Sequence, residues 1–384
     1  MKCGIIGLPN VGKSTLFNAL CENEQALAAN YPFATIDPNS SLVRVPDDRI
    51  KKIAAICNPQ KIIPAAFEIV DIAGLVKGAS KGEGLGNAFL SHIRSVNALF
   101  HIVRCFEDDD IQHVENRINP LEDIKIINAE LALSDLEILE KNYQKQKKTQ
   151  KTDDDKKKIL IIEKAIDLIS KEKGILNNLN KDEIEYLHIF QLISIKPVVY
   201  VCNVDENSSV NGNAYTKSIE EYSKLNNSET LIVSAKIESE ISQINDHEEK
   251  KMFLDSIGLK ETGLKRVIKK GYELLNYINF FTAGEKELRA WTIIRGTLAP
   301  NAAGEIHSDM EKGFIRAETI SYEDYIQFKG ESGAKEKGKL RLEGKEYVVK
   351  DGDIIHFLLM RSGWSQTDAL SSLSGACGKS SSFS

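Results

Sequence analysis

The feature that most constrains this chain is Gly7-Leu8-Pro9-Asn10-Val11-Gly12-Lys13-Ser14-Thr15, a match to G-x-x-x-x-G-K-[ST]. An apolar run precedes it, and the helix-like Leu16-Phe17-Asn18-Ala19-Leu20 follows. A strand, a glycine-bearing turn and a helix N-terminus in that order form a phosphate cradle. Backbone N–H groups turn inward and the helix dipole favours the anion. Asn10, Val11, Gly12, Lys13, Ser14 and Thr15 are therefore the expected nucleotide contacts. Lys13 should reach the β- and γ-phosphates, and the Ser14 hydroxyl should bind Mg²⁺.

A loop of this kind needs an α/β frame. Apolar runs at residues 3–6, 41–45, 66–71 and 98–106 alternate with amphipathic stretches and resume at 197–204 and 230–235, the pattern of a mostly parallel sheet covered by helices. The expectation is a nucleotide-binding domain over 1–278, interrupted at 120–191 by an antiparallel helical coiled-coil arm. Two helical patterns, 128–143 and 159–176, flank a Lys- and Asp-rich stretch, 145–158, that reads as a solvated tip. A small α+β domain over 279–361 follows, with strands at Trp291–Ile294 and Tyr347–Val349 and with Gly304, Gly313, Gly344 and Gly352 as turn punctuation. The Ser- and Gly-rich 362–384 reads as a flexible tail.

Composition narrows the partners. A net charge of −6 argues against a polycation that coats nucleic acid. No apolar run approaches the ~20 residues that cross a bilayer, so no membrane is expected. The N-terminus enters a strand directly and leaves no room for a signal peptide. The six cysteines show no metal spacing, and the several inside apolar strand-like runs read as small buried side chains, which fits a reducing cytoplasm.

A second element supports the first. Ile69-Val70-Asp71-Ile72-Ala73-Gly74 is an apolar strand ending in D-x-x-G. Asp71 would hold Mg²⁺ through water, and the Gly74 amide would sense the γ-phosphate. Thr35 lies between the two motifs, where a switch threonine completes the Mg²⁺ shell; alone it reads equally as a turn residue. Leu75 stands where Ras-like enzymes carry a water-orienting glutamine. An apolar side chain cannot orient water, so hydrolysis should be slow unless another group or a partner supplies that function. His113 is a candidate, on a polar loop after a strand; by itself it reads as a surface histidine.

GTPases read guanine with N-K-x-D after a strand. Here the sequence is Asn203-Val204-Asp205-Glu206. Val204 replaces the lysine and Glu206 the aspartate, which moves the carboxylate out by one methylene and weakens guanine discrimination. Asp205 is out of register unless the loop shifts. Ser234-Ala235-Lys236 closes the site as a short S-A-K motif. Together 7–15, 30–39, 71–86 and 203–206 closely resemble the YchF/Obg-like ATPase family. Asn279-Phe280-Phe281-Thr282-Ala283-Gly284 and the stretch 304–318 resemble its C-terminal TGS domain.

The resemblance implies an Obg-type P-loop domain with a helical arm and a TGS domain. It also implies preference for ATP over GTP, backbone contact with adenine at Val204, and a water-positioning role for His113. Association with the large ribosomal subunit is implied as well, with a possible RNA contact through the TGS domain or the arm. Acidic and basic residues nearly balance from 280 to 361, so charge alone predicts no RNA binding there. A GTP-dependent factor of the same architecture and a nucleotide-gated scaffold with incidental turnover are the alternatives. A kinase fits badly, for want of an acceptor site.

Overall fold

The computed structural model describes residues 2–22, 39–72, 87–108, 118–171, 173–244 and 246–360. The first elements are β1 (Lys2–Ile6), α1 (Lys13–Glu22), β2 (Ser40–Arg44), α2 (Asp48–Cys57), β3 (Lys61–Ile63), β4 (Ala66–Asp71), α3 (Asn87–Ser95) and β5 (Ala98–Arg104). A helical stretch follows: α4 (Pro120–Thr149), α5 (Asp153–Ser170), α6 (Ile175–Asn178) and α7 (Lys181–Leu187). Alternation resumes with β6 (Val198–Asn203), α8 (Ala214–Leu225), β7 (Glu229–Val233), α9 (Ala235–Gln243), α10 (His247–Ser256) and α11 (Gly263–Leu274). The chain continues with β8 (Tyr277–Ala283), β9 (Glu287–Ile294), α12 (Ala299–Ile306), α13 (Ser308–Lys312), β10 (Phe314–Ile320), α14 (Tyr322–Gln327), α15 (Glu331–Glu336), β11 (Arg341–Glu343) and β12 (Ile354–Leu359).

Two compact units divide these elements. In the first, six strands lie in the order β2-β4-β1-β5-β6-β7. The pairs β1–β4, β1–β5, β5–β6 and β6–β7 are all parallel. From β1 the chain builds outward first on one side and then on the other. This reversal opens a crevice at the strands' carboxyl ends, the general ligand position of open parallel sheets. Strands covered on both faces must be apolar throughout, and β5 is buried along its whole length. Cys3 and Cys202 in these strands, and Cys105 just after β5, are buried, as the sequence suggested, whereas Cys21 and Cys57 are partly exposed. Burial pushes the Cys3 thiol up to about 12, so it behaves as a small apolar side chain.

The helical insertion departs from the sequence expectation at its tip. Residues 145–158 form no long loop: α4 runs to Thr149, α5 starts at Asp153, and three residues connect them. Local chemistry explains the longer helices. Thr152 and Asp155 form a reciprocal capping box. Lys156–Asp153 (2.8 Å) and Lys158–Asp154 (2.7 Å) pair one turn apart, and Lys147 and Lys148 face the negative end of the α4 dipole. The second helix also ends earlier than expected, at Ser170, and α6 and α7 complete the hairpin's core with Leu139, Ile162, Ala165 and Leu187. Buried polar contacts fix its base. Asp135, fully buried, accepts from Arg94 of α3 (2.9 Å) and from the Ser194 amide (2.7 Å), and Asn128 reaches the Tyr200 hydroxyl at 3.2 Å.

The second unit moves a sequence-derived boundary. Residues 44–67, expected within the nucleotide domain, belong with residues from Tyr272 onward. Six strands lie there in the order β11-β10-β12-β8-β9-β3, with β3 parallel to β9. Arg49 of α2 joins this unit: it binds Asp47 (2.8 Å) and Asp351 (3.1 Å) and lies over the Phe281 ring. A core of Phe280, Trp291, Phe314 and Phe357 sits with α12 and α13. Tyr347–Val349 is not a strand; it contributes one isolated bridge, Leu298 to Val348, because Asp353 binds the Tyr347 hydroxyl and the Lys350 amide and bends the chain. Gly304 marks no turn either, since it lies inside α12. Residues 362–384 fall outside the described residues. No helix among the described residues is long and apolar enough to cross a membrane.

One buried histidine gives the first unit a measurable acid response. His101, in mid-β5 against the Tyr200 ring, is held neutral by burial, its pKa lowered to about 3. Between the ordinary histidine value near 6.5 and that pKa the unfolded chain binds the extra proton, so stability is full above about pH 6.5 and falls as pH drops below it. Going from pH 7 to 5 should remove roughly 2 kcal/mol through this residue. Chemical denaturation of the wild type and His101→Phe at both pH values should show a smaller loss in the variant; equal losses would mean that His101 is protonated at no cost.

Candidate nucleotide-binding site

The crevice is built around one loop. Asn10 and Gly12 have φ values of 63° and 92°; left-handed residues here curl the backbone so that successive N–H groups face one point. Gly12 is required for a second reason. A Cβ at this position would lie 2.3 Å from Asn203 Nδ2. The α1 helix then starts at Lys13, with the Leu16 amide donating to the Gly12 carbonyl at 3.0 Å.

Asn203 occupies the end of β6, and register sets its neighbours: Arg104 of β5 on one side and Val233 of β7 on the other. Its buried amide donates from Nδ2 to the Val11 carbonyl (2.9 Å) and accepts at Oδ1 from the Ala235 amide (2.9 Å). One side chain thus ties the phosphate loop to the start of α9. Asn203 thereby organises the site, with one N–H and one oxygen lone pair of its amide beyond these two bonds.

The Lys13 ammonium is in direct ion-pair contact with the Asp71 carboxylate. Asp71 ends β4 beside Ile5 of β1, so parallel pairing alone brings the second motif to the first. Ser14 and Thr15 are exposed on the first turn of α1. A hydroxyl and one carboxylate oxygen are hard donors suited to Mg²⁺, which binds through one or two protein oxygens and takes the rest from water and phosphate. The donor set therefore fits that ion. Thr35, Gly74, Leu75 and His113 lie outside the described residues.

On the base side, Val204 is buried and its amide donates to the Val233 carbonyl at 2.9 Å. Glu206 is half-exposed and pairs with Lys236 at 2.5 Å, which joins the two sequence motifs on this side. Asp205 accepts from the Ser208 amide (3.0 Å) and hydroxyl (2.9 Å). Ser234 is buried and its Oγ has no hydrogen-bond partner among the described residues. An orphaned hydroxyl at this point suits a ligand group.

Arg104 was not singled out by the sequence motifs. Its buried guanidinium holds the Phe106 carbonyl (3.2 Å) and the Asp108 carbonyl (3.0 Å) and stacks over the Phe106 ring. It fixes the backbone at Phe106 and Asp108, just after β5. The signal was present: an arginine ends a buried strand that is apolar apart from His101.

Comparison with known proteins agrees with this geometry. A family model described as "50S ribosome-binding GTPase" matches residues 2–164, and the YchF GTPase C-terminal model, described as a protein of unknown function, matches 277–359. The "Ribosome-binding ATPase YchF" of Haemophilus ducreyi is 51% identical over 360 residues, covering 93% of this chain and 98% of its own length. The chain belongs to the YchF family. The Bacillus subtilis YchF is likewise 51% identical, over 362 residues, with the same coverage. The solved structure of the Schizosaccharomyces pombe YchF GTPase superimposes with a TM-score of 0.85 at 38% identity, covering 93% of this chain and 97% of that one. As a YchF protein, this chain is a P-loop nucleotide hydrolase. The relatives' names differ on the base, ATPase in two and GTPase in the third.

Gly12→Ala tests the loop directly. The added methyl meets the Asn203 amide, and alanine is strained at this φ, together destabilising by about 1–3 kcal/mol. Nucleotide affinity, measured by titration calorimetry, should fall at least tenfold. Unchanged affinity would show that the loop can relax around a methyl.

Proposed function

We propose that this chain is a Mg²⁺-dependent ATPase that acts as a nucleotide-controlled switch on the ribosome. The base preference rests on one observation, the Glu206–Lys236 pair. Reading guanine requires a carboxylate aimed at two N–H donors. Here the carboxylate sits on a longer stem and is engaged by an ammonium group, so guanine gains little over adenine. The buried Val204 backbone and the Ser234 hydroxyl supply neutral contacts that do not require guanine.

On the phosphate side, Lys13 and the amides of Asn10–Thr15 neutralise and orient the β- and γ-phosphates. Ser14, Thr35 and Asp71 would hold Mg²⁺, which would supply charge neutralisation at the phosphate oxygens when bound. With the Lys13–Asp71 contact opened, the Lys13 ammonium would be available to phosphate and the Asp71 carboxylate to the ion. Gly74 senses the γ-phosphate through its amide, and His113 orients the attacking water in place of the glutamine that Leu75 replaces. Arg104 anchors Phe106 and Asp108, which precede that histidine in the chain. The relatives' name supports ribosome binding. The large subunit is the proposed partner, and RNA contact is assigned to the helical insertion or the C-terminal unit. The cytoplasm is the compartment this function requires.

Fluorescent ATP and GTP analogues should bind with ATP the tighter, and Glu206→Asp should gain at least fivefold in GTP affinity. Ribosomes should accelerate ATP hydrolysis. Tighter GTP binding by the wild type would make this a GTPase with an unusual base loop, and turnover indifferent to ribosomes would favour the scaffold reading.

A further inference from the structure

In the C-terminal unit, β8 and β12 pair in parallel at a single position, Ile354 opposite Phe281. From there β8 follows β9 to the Ala283–Leu288 pair, and β12 follows β10 to Leu359. A cavity of about 350 Å³ is lined from both sides of this parting, by residues 282–287 on one side and Ile354, Ile355 and His356 on the other. That volume is within the range of ligand-binding clefts.

Its lining has two components. Trp291, Ile306 and Met310 give apolar walls, while Glu285, Glu287, Glu318 and Glu331 surround them with carboxylates against one lysine, Lys286. Arg289, the neighbouring cation, is stacked on the Trp291 ring 3.9 Å from its centroid. Oε1 of Glu287 is buried without a hydrogen-bond partner among the described residues. An unsatisfied carboxylate oxygen beside an apolar wall is destabilising until a donor reaches it. Its complement is an apolar stem ending in a cation, the build of an arginine or lysine side chain. The mouth is bordered by strand segments that no longer pair with each other, an arrangement that accepts an extended polypeptide.

We propose that this cavity is a docking site for a basic polypeptide segment, bound extended along the parted strands with one arginine or lysine side chain inserted between Trp291 and Glu287. The acidic lining repels phosphate, so RNA is not its ligand. The proposal is independent of the nucleotide site.

Trp291 provides the readout once the other tryptophan is removed, so the test uses the full chain carrying Trp364→Phe. The probes are the blocked pentapeptide Thr-Val-Arg-Val-Thr, its glutamine analogue, free ethylguanidine and a single-stranded oligo-uridine. The arginine peptide should shift Trp291 emission saturably and bind at least tenfold more tightly than the glutamine peptide. Glu287→Gln should weaken it at least fivefold while leaving ATP binding and the unfolding midpoint unchanged. Equal binding of the two peptides, or no saturation, overturns the proposal. Ethylguanidine binding as tightly as the peptide would make this a small-molecule cation site, and oligo-uridine binding most tightly would make it an RNA site; either refutes it as stated.

Discussion

The nucleotide site of this YchF protein depends on one buried carboxamide. Asn203 spans from the Val11 carbonyl to the Ala235 amide at 2.9 Å in both directions. Those two groups lie on segments far apart in sequence, one in the loop after β1 and one at the start of α9. Leaving either unpaired in the interior would cost about 1–3 kcal/mol. The carboxamide thereby sets the separation between the phosphate side of the crevice and the base side. Gly12 is part of the same arrangement, because only the absence of a Cβ lets the loop come this close.

The parallel sheet makes that bridge possible. Each active-site segment leaves the carboxyl end of a strand, and the order β4-β1-β5-β6-β7 delivers them side by side. Pairing of Ile5 with Asp71, and of Asn203 with Arg104 and Val233, is a consequence of register and needs no contribution from a ligand. Three sets of polar side chains then lie at the carboxyl ends of these strands: the Lys13–Asp71 pair, Arg104, and the Glu206–Lys236 pair. All but the last pair are substantially buried, so their geometry is held by packing as well as by charge.

Much of this could be read from the sequence because it is local. The phosphate loop, the strand ending at Asp71 and the 203–206 loop are contiguous motifs whose chemistry follows from residue order. What escaped was set by distant partners or by competition between local signals. Arg104 looked like the end of a strand until its carbonyl partners were seen. The Glu206–Lys236 contact joins motifs thirty positions apart in the chain, and neither motif predicts it. The charged stretch 145–158 lacks apolar residues, the mark of a loop, yet a capping box and one-turn Lys–Asp pairs keep all but its three connecting residues helical. Residues 44–67 carry no pattern announcing that β3 adds to the other sheet, because strand addition is decided by the edge it meets. Tyr347–Val349 has strand composition, but Asp353 holds the Tyr347 hydroxyl and the Lys350 amide and bends the chain.

The most direct test of this account is the affinity of Asn203→Ala for ATP and for GTP, measured with Mg²⁺ on the full chain. If the carboxamide acts as a brace for both sides of the crevice, both affinities fall together by about 10- to 100-fold, the equivalent of roughly 1.4–2.8 kcal/mol, and their ratio stays within about twofold of the wild type. A variant that changes the ratio while one nucleotide binds as before would show that Asn203 reads the base directly, which contradicts the bracing role assigned to it.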